Sequence, residues 1–187
     1  MNKQKPFIIA IVGLAGSGKT EAVARFLAHG FIRVGFNDAL YEEVDRRGLE
    51  RTQEHERPVR EEMRRQEGMA VMAKRMMPRI EKHVADGNHV VIESLYSWSE
   101  YKHVKERYHE QFRVLAIYSP PDMRYERLQS RAIRPLTNEE AGTRDYTEIE
   151  HVEKAGPIAM ADWTMLNIGS KKVFLNEIDA LILRLLS

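Results

Sequence analysis

Eight residues near the amino-terminal end, Gly13-Leu14-Ala15-Gly16-Ser17-Gly18-Lys19-Thr20, have the types and spacing needed to grip a row of phosphates. Glycines 13, 16 and 18 let the backbone turn tightly and aim successive N–H groups inward at phosphate oxygens. A helix beginning near Lys19 would point the positive end of its dipole at the same anion. The Lys19 ammonium is expected to reach the β- and γ-phosphates of ATP or another nucleoside triphosphate. The Thr20 hydroxyl is the expected protein ligand to Mg²⁺.

An acid that serves the metal or the reacting group is expected at the end of a neighbouring parallel strand. Glu93, directly after Val90-Val91-Ile92, holds that place and would order a metal-bound water or accept a proton. Asp38, a few residues past a second apolar run, would either orient a substrate hydroxyl or cap the next helix, as would Asn37. Arg124, Arg127, Arg131 and Arg134 recur at spacings of four, three and three. That places the last three on one helix face, where paired N–H donors could meet the charge spread over a transferring phosphoryl group. A solvated basic face is the other reading of such a run; beside a phosphate loop, Arg127 and Arg131 are taken as functional. Arg60, Arg64 and Arg65 offer a substrate-phosphate site or an exposed charged helix, with Arg60 the one carried forward. The seven histidines show no metal-ligand spacing. Trp98, Trp163, Met72, Met76 and Met77 are read as packing.

These side chains need a scaffold, and the pattern of apolar runs supplies one. Phe7 to Val12, Phe31 to Val34, His89 to Ile92, Val114 to Tyr118 and Asp162 to Ile168 read as buried strands. Between them lie polar, helix-periodic stretches, so a parallel sheet covered on both faces is expected. The stretch from about Asp38 to Asp86 reads as one long charged helical region, broken or kinked at Gly68 and Pro78. Ser97 and Glu100 have the spacing of a capping box, and Ser119-Pro120-Pro121-Asp122 looks like a helix start.

Bulk properties narrow the class. A chain of 187 residues suits one domain with a proper core. A net charge of +1 gives no global basic field for nucleic acid, and zero cysteines exclude disulfides, thiol nucleophiles and cysteine-held zinc. The basic start, Met1-Asn2-Lys3-Gln4-Lys5, leads into a short apolar run and then glycines, unlike a signal peptide. No run has the length of a bilayer span. A cytoplasmic, soluble protein is expected.

With these residues in place, the chain resembles the nucleoside-monophosphate-kinase branch of P-loop proteins. More narrowly, it is similar to the dephospho-CoA-kinase-related family of small bacterial and archaeal proteins. The stretches that carry the resemblance are GLAGSGKT, VREEMRRQEG, AKRMMPRI, VVIES, ERLQSR, RDYTEIE and ADWTMLNIGS, in that order along nearly the whole chain. The resemblance implies a three-layer α/β fold with a five-stranded parallel sheet in the order 2-3-1-4-5. It also implies a helical substrate-binding insertion over about 38–86 and a mobile lid over about 127–150. Arg127 and Arg131 match the family's lid-side arginines, and Asn167 lies where the last strand leads into the nucleotide-base region.

Two departures stand out: Glu93 replaces the family's usual aspartate, and Tyr41 stands where related kinases often have an arginine. The expected activity is ATP- and Mg²⁺-dependent transfer of the γ-phosphoryl group to a small nucleotide-like acceptor, dephospho-CoA or a nucleoside monophosphate. The charged segment from Tyr41 to Arg65 keeps open a nucleotide-dependent regulatory ATPase acting on a macromolecular partner. A nucleic-acid end kinase shares the loop but is disfavoured by the near-neutral charge. The oligomeric state is not legible in the sequence.

Overall fold

A computed structural model describes residues 5–187; the basic start at residues 1–4 lies outside the described residues. Five parallel strands form one sheet: β1 (Ile8–Val12), β2 (Ile32–Gly35), β3 (Val90–Glu93), β4 (Phe112–Tyr118) and β5 (Trp163–Leu166), ordered β2-β3-β1-β4-β5. This is the expected order. The first strand is central because all five of its residues are apolar and all are buried, so it tolerates protein on both faces and both edges. Its side chains alternate between two cores. Ile8, Ala10 and Val12 join one, and Ile9 and Ile11 join the other.

The second core is closed by α1 (Lys19–Ala28) and α9 (Lys171–Leu186), which bury Phe26, Phe174, Ile178 and Ile182 against the sheet. Each such apolar side chain contributes about 1.5–3 kcal/mol on leaving water. The opposite face is covered by α2 (Asn37–Arg46), α3 (Gln53–Glu67), α4 (Val71–Ala85) and α5 (Trp98–Tyr108). The long charged region is thus three helices, not one. Gly68, at φ +90°, ends α3 as expected, whereas Pro78 sits inside α4 without ending it. Ser97 and Glu100 form the capping box of α5. After β4 come α6 (Pro121–Ser130), α7 (Asn138–Glu150) and the short α8 (Ala155–Ala159), and a small core of Ala15, Leu128 and Ala141 ties the first two to the loop after β1.

Three local expectations change. Helix α6 stops at Ser130, and Arg131 is already extended, so Arg127, Arg131 and Arg134 do not share a helix face. Arg134 takes a left-handed turn at φ +53° instead. Ser119 does not cap α6; Pro120 is the cap residue and Pro121 the first helical one. Asp38 and Asn37 lie within α2, whose cap position is Phe36, so neither caps it. Among the described residues no helix is long and apolar enough to cross a membrane.

Candidate active site

In a parallel sheet the carboxyl ends of all strands open on one side, and there the chain places Gly13 after β1, Glu93 at the end of β3, Ser119 after β4 and Asn167 after β5. The loop between β1 and α1 is wound so that its carbonyls face away from its hollow. Each carbonyl from Leu14 to Ser17 has a side-chain donor. Lys19 Nζ donates to Leu14 O at 2.9 Å and Arg124 Nη1 to Ala15 O at 3.1 Å. Arg127 Nη1 donates to Gly16 O at 3.4 Å, and Asn167 Nδ2 to Ser17 O at 2.9 Å. With the carbonyls occupied, the N–H groups of Ala15, Gly16, Gly18, Lys19 and Thr20 have no protein acceptor among the described residues. The buried Ser17 hydroxyl is also without a partner.

A run of unpaired amides in one loop, with the buried Ser17 hydroxyl among them, calls for a ligand or water, and these donors are arranged for oxyanions. The glycine at 13 is obligatory: at φ +143° a side chain is strained, and a Cβ would lie 2.5 Å from Ile117 O. The residues therefore fit a triphosphate. For Mg²⁺, no group of three or more His, Cys, Asp or Glu side chains is assembled among the described residues. The exposed Thr20 hydroxyl together with phosphate oxygens suits that ion, which keeps most of its waters.

Helix α7 closes over the loop through charge. Asp145 receives Arg124 in a two-pronged pair, at 2.9 and 2.6 Å, and also the Tyr125 hydroxyl at 3.0 Å. Glu148 binds Lys154 Nζ at 2.7 Å and Arg144 Nε at 2.9 Å. Lys154 is buried and lies over the Tyr96 ring at 4.3 Å from its centroid. Burial alone would raise the Glu148 carboxyl. The charges of Lys154 and Arg144 and their hydrogen bonds outweigh it and hold Glu148 at about 2.

Lys19 is lowered to about 7, first by burial and then by the positive charges of Lys154, Arg144 and Arg124, which Glu148 only partly offsets. In a ring this cationic, a phosphate would restore the Lys19 proton. Binding of ATP at pH 8 is therefore expected to take up about one proton, with less uptake at pH 6, where Lys19 is already charged. Apparent affinity should weaken roughly tenfold per pH unit above 7 until the bound-state pKa is reached. Calorimetry in two buffers of different ionisation enthalpy checks this. Equal heats in both at pH 8 would mean that Lys19 is protonated before nucleotide arrives.

The expected site residues fall into two groups. Gly13 to Thr20, Arg127 and Asn167 meet at the loop. Arg127 donates to Ser119 Oγ at 2.8 Å and to Asn167 O at 2.9 Å, so its fork braces the loop from behind. Asn167 does the same, and its side chain fills the space a Cβ on Gly18 would need. Both still line a cavity of about 300 Å³ with Gly18, Gly169, Lys171 and Phe174, beside the loop. Arg131 lies beyond α6 and donates to the Arg134 carbonyl.

The second group is at the edge of the sheet. Arg33 on β2 joins Glu93 at 2.5 Å to Asp38 at 2.9 and 3.2 Å. The bond to Asp38 in particular holds the guanidinium above its ordinary range. Gly35 leaves room for that fork: a Cβ there would lie 2.3 Å from an Arg33 nitrogen. Arg60 pairs with Glu56 at 3.8 Å.

Sequence reasoning missed Arg33, Arg124, Asp145, Glu148 and Lys154. The four-residue spacing of Arg124 and Leu128, the two buried residues of α6, was the signal for Arg124. Nothing local marks the other four, which act across long sequence separations or from within charged runs.

Comparison with known proteins bears on the family and the fold. A family profile described as an AAA domain matches residues 9–147. UPF0200 protein TK1334 of Thermococcus kodakarensis is 31% identical over 183 residues, covering 96% of this chain and 98% of the relative. UPF0200 protein PYRAB09750 of Pyrococcus abyssi is 32% identical over 182 residues, covering 96% and 97%. Among solved structures, TT1252 from Thermus thermophilus superposes with a TM-score of 0.68 at 20% identity, covering 97% and 99%. A dephospho-CoA kinase from Campylobacter jejuni gives 0.58 at 13%, covering 97% and 98%. A shikimate kinase from Bacteroides thetaiotaomicron gives 0.59 at 14%, covering 96% and 98%. The fold is that of the P-loop kinases.

Proposed function

We propose, for a chain that belongs to the UPF0200 family and carries an AAA domain, that it is an ATP- and Mg²⁺-dependent phosphotransferase acting on a small nucleotide-like acceptor, dephospho-CoA or a nucleoside monophosphate. The observation that supports this best is the loop itself, with every carbonyl from Leu14 to Ser17 tied outward and the amides, Ser17 Oγ and Lys19 left for an anion. Lys19 and the amides would hold the donor's phosphates. Thr20 would hold Mg²⁺, which when bound neutralises charge on the β- and γ-oxygens. An acceptor oxygen forms a bond to the γ-phosphorus while the bond to the β–γ bridging oxygen breaks, and ADP leaves with that electron pair. Where the acceptor oxygen carries a proton, Glu93 or Asp38 accepts it.

Residues 127–150 would act as a lid, bringing Arg131 and Arg144 to the transferred group and excluding water, while Arg127, whose fork is taken up by Gly16 O, Ser119 and Asn167 O, would keep the loop in shape. The helices of residues 38–86 would receive the acceptor. The reaction would take place in the cytoplasm, between a nucleoside triphosphate and a small molecule rather than at a membrane.

The test is ADP release with ATP and Mg²⁺ against dephospho-CoA, each ribo- and deoxynucleoside monophosphate, and no acceptor. A large rate increase with one acceptor is expected and names the substrate. A slow rate that no acceptor changes would replace this reading with a regulatory ATPase.

A further inference from the structure

Two candidate acids stand at the edge of the sheet, and one arginine treats them differently. Strands β2 and β3 run parallel with Gly35 opposite Glu93 and Arg33 opposite Val91. Residues two apart on a strand share a face, so Arg33 extends over Gly35 toward the carboxyl end of the sheet. A side chain at 35 would block that path, since a Cβ there would collide with the guanidinium and lie 2.8 Å from Asp38 Oδ1. The fork is shared unequally. Arg33 Nη1 and Nη2 donate to Asp38 Oδ2 and Oδ1, at 2.9 and 3.2 Å, so both oxygens of that carboxylate are engaged. Arg33 Nε donates to Glu93 Oε2 at 2.5 Å, and among the described residues nothing donates to Glu93 Oε1. Asp38 is thus fixed by a two-pronged pair, the geometry that holds a carboxylate best. Glu93 receives one short bond, which sets its direction and leaves an oxygen for a ligand.

The backbone beside Glu93 is held as firmly. Ile92 pairs with Ala10 of β1, which brings Glu93 level with the end of the strand that feeds the phosphate loop. Ser94, the next residue, turns the chain at φ +66°, a left-handed conformation that serine seldom adopts. Its hydroxyl receives the Tyr96 hydroxyl at 3.1 Å, and the Tyr96 N–H donates to Glu100 at 2.7 Å. Such turns are costly, persist only where the surroundings enforce them, and cluster at active sites and ligand clamps. Asp38 has no such setting, for it lies in the first turn of α2.

From this asymmetry we infer that Arg33 is the positioning residue of the transfer step: it ties Asp38 down as an anchor and presents Glu93 Oε1 as the oxygen that takes the proton from the attacking hydroxyl or water. This rests on the reading of the protein as a phosphotransferase and narrows it, because Asp38 drops out as an alternative base. The attacking oxygen forms its bond to the γ-phosphorus while the bond to the β–γ bridging oxygen breaks. ADP leaves with that electron pair, and the proton of the attacking oxygen ends on Glu93. A glutamate has three side-chain torsions to fix, and the Arg33 bond fixes them before the reaction begins.

Single-turnover hydrolysis of ATP with Mg²⁺ tests this, because water then serves as the acceptor and no other substrate has to be known. Glu93→Gln is expected to slow hydrolysis about 100-fold or more, the range of a general base. Asp38→Asn should slow it by no more than about tenfold, since only the charge of the anchor is lost. Arg33→Met should slow it by about 30-fold or more while affinity for a non-hydrolysable ATP analogue stays unchanged. Arg33→Lys should not restore the rate, because an ammonium cannot bridge two acids as a planar fork does. Should Arg33→Met fail to bind the analogue, Arg33→Gln takes its place.

The deciding readout is the double variant. Arg33→Met added to Glu93→Gln should cost nothing more, because no base is left to position. Full additivity would give Arg33 a merely structural role and overturn the assignment. So would a loss in Asp38→Asn as large as that in Glu93→Gln, a full rate in Arg33→Met, or a parent protein that hydrolyses no ATP. If the variants behave as stated while no added acceptor accelerates ADP release, the kinase reading fails and the roles of Arg33 and Glu93 stand for water.

Discussion

Lys19→Ala is expected to lower turnover by about a thousandfold or more while leaving the fold intact. Phosphoryl transfer offers a protein little covalent work, so its rate depends on charges already placed where the transition state needs them. Lys19 is the cation that the loop itself carries into that place, its Nζ donating to Leu14 O at 2.9 Å. Its loss removes a donor that no neighbour can supply, because Arg124 and Arg127 spend their N–H groups on Ala15 O, Gly16 O, Ser119 and Asn167 O.

The same crowding argues that stability will not suffer. Lys154, Arg144 and Arg124 all repel the Lys19 ammonium and push it down to about 7, so deleting it relieves strain between like charges. The melting temperature of Lys19→Ala should equal or exceed that of the parent, while ATP binds more weakly and kcat collapses. Near-normal turnover would sink the mechanism. A collapse of stability alongside turnover would mean that the Leu14 contact holds the loop together, a structural role in place of a catalytic one.

How far the sequence reached depends on how local each signal was. The phosphate loop lies within eight consecutive residues, and its glycines hold backbone angles that side chains rarely adopt, so its position and shape were legible. Sheet order was legible through the resemblance, and strand positions through apolar runs, with boundaries off by no more than two residues. Glu93 was expected just past its strand and is its last residue. The misreadings came where a local rule competed with a distant partner. Asp38 looked like a helix cap, but Arg33, five residues earlier on the sheet edge, captures it. Ser119 looked like a cap, but its hydroxyl donates to Asn167 O at 2.7 Å, linking β4 to β5 behind the loop. The arginines at 127, 131 and 134 fit a helical repeat, yet the helix ends at Ser130. The chain then turns so that Arg134 faces α3, a contact across 78 residues that spacing cannot encode.

The second large effect is structural, and it concerns the pair that the sequence hid best. Asp145→Ala is expected to destabilise the protein by about 3–5 kcal/mol, because it leaves the Arg124 guanidinium buried and unpaired. Arg124 is 3% exposed and Asp145 7%, so neither can turn to water without moving its helix. For a chain of this size the loss corresponds to a fall of roughly 6–20 °C in melting temperature. The damage should be uneven. Arg124 keeps its bonds to Ser119 O and Ala15 O, both at 3.1 Å, whereas α7 loses its strongest attachment to the loop. Hydrogen exchange should therefore rise first in α7 and little in β1 or β4. ATP should restore part of the stability: at a hundredfold excess over its dissociation constant, a ligand that binds only the folded state contributes about 2.7 kcal/mol. A loss below about 1 kcal/mol, within the range of a surface ion pair, would show that α7 swings away and lets water reach Arg124. Uniform exchange across the sheet would show that the pair holds the whole fold rather than the closure of α7 over the phosphates.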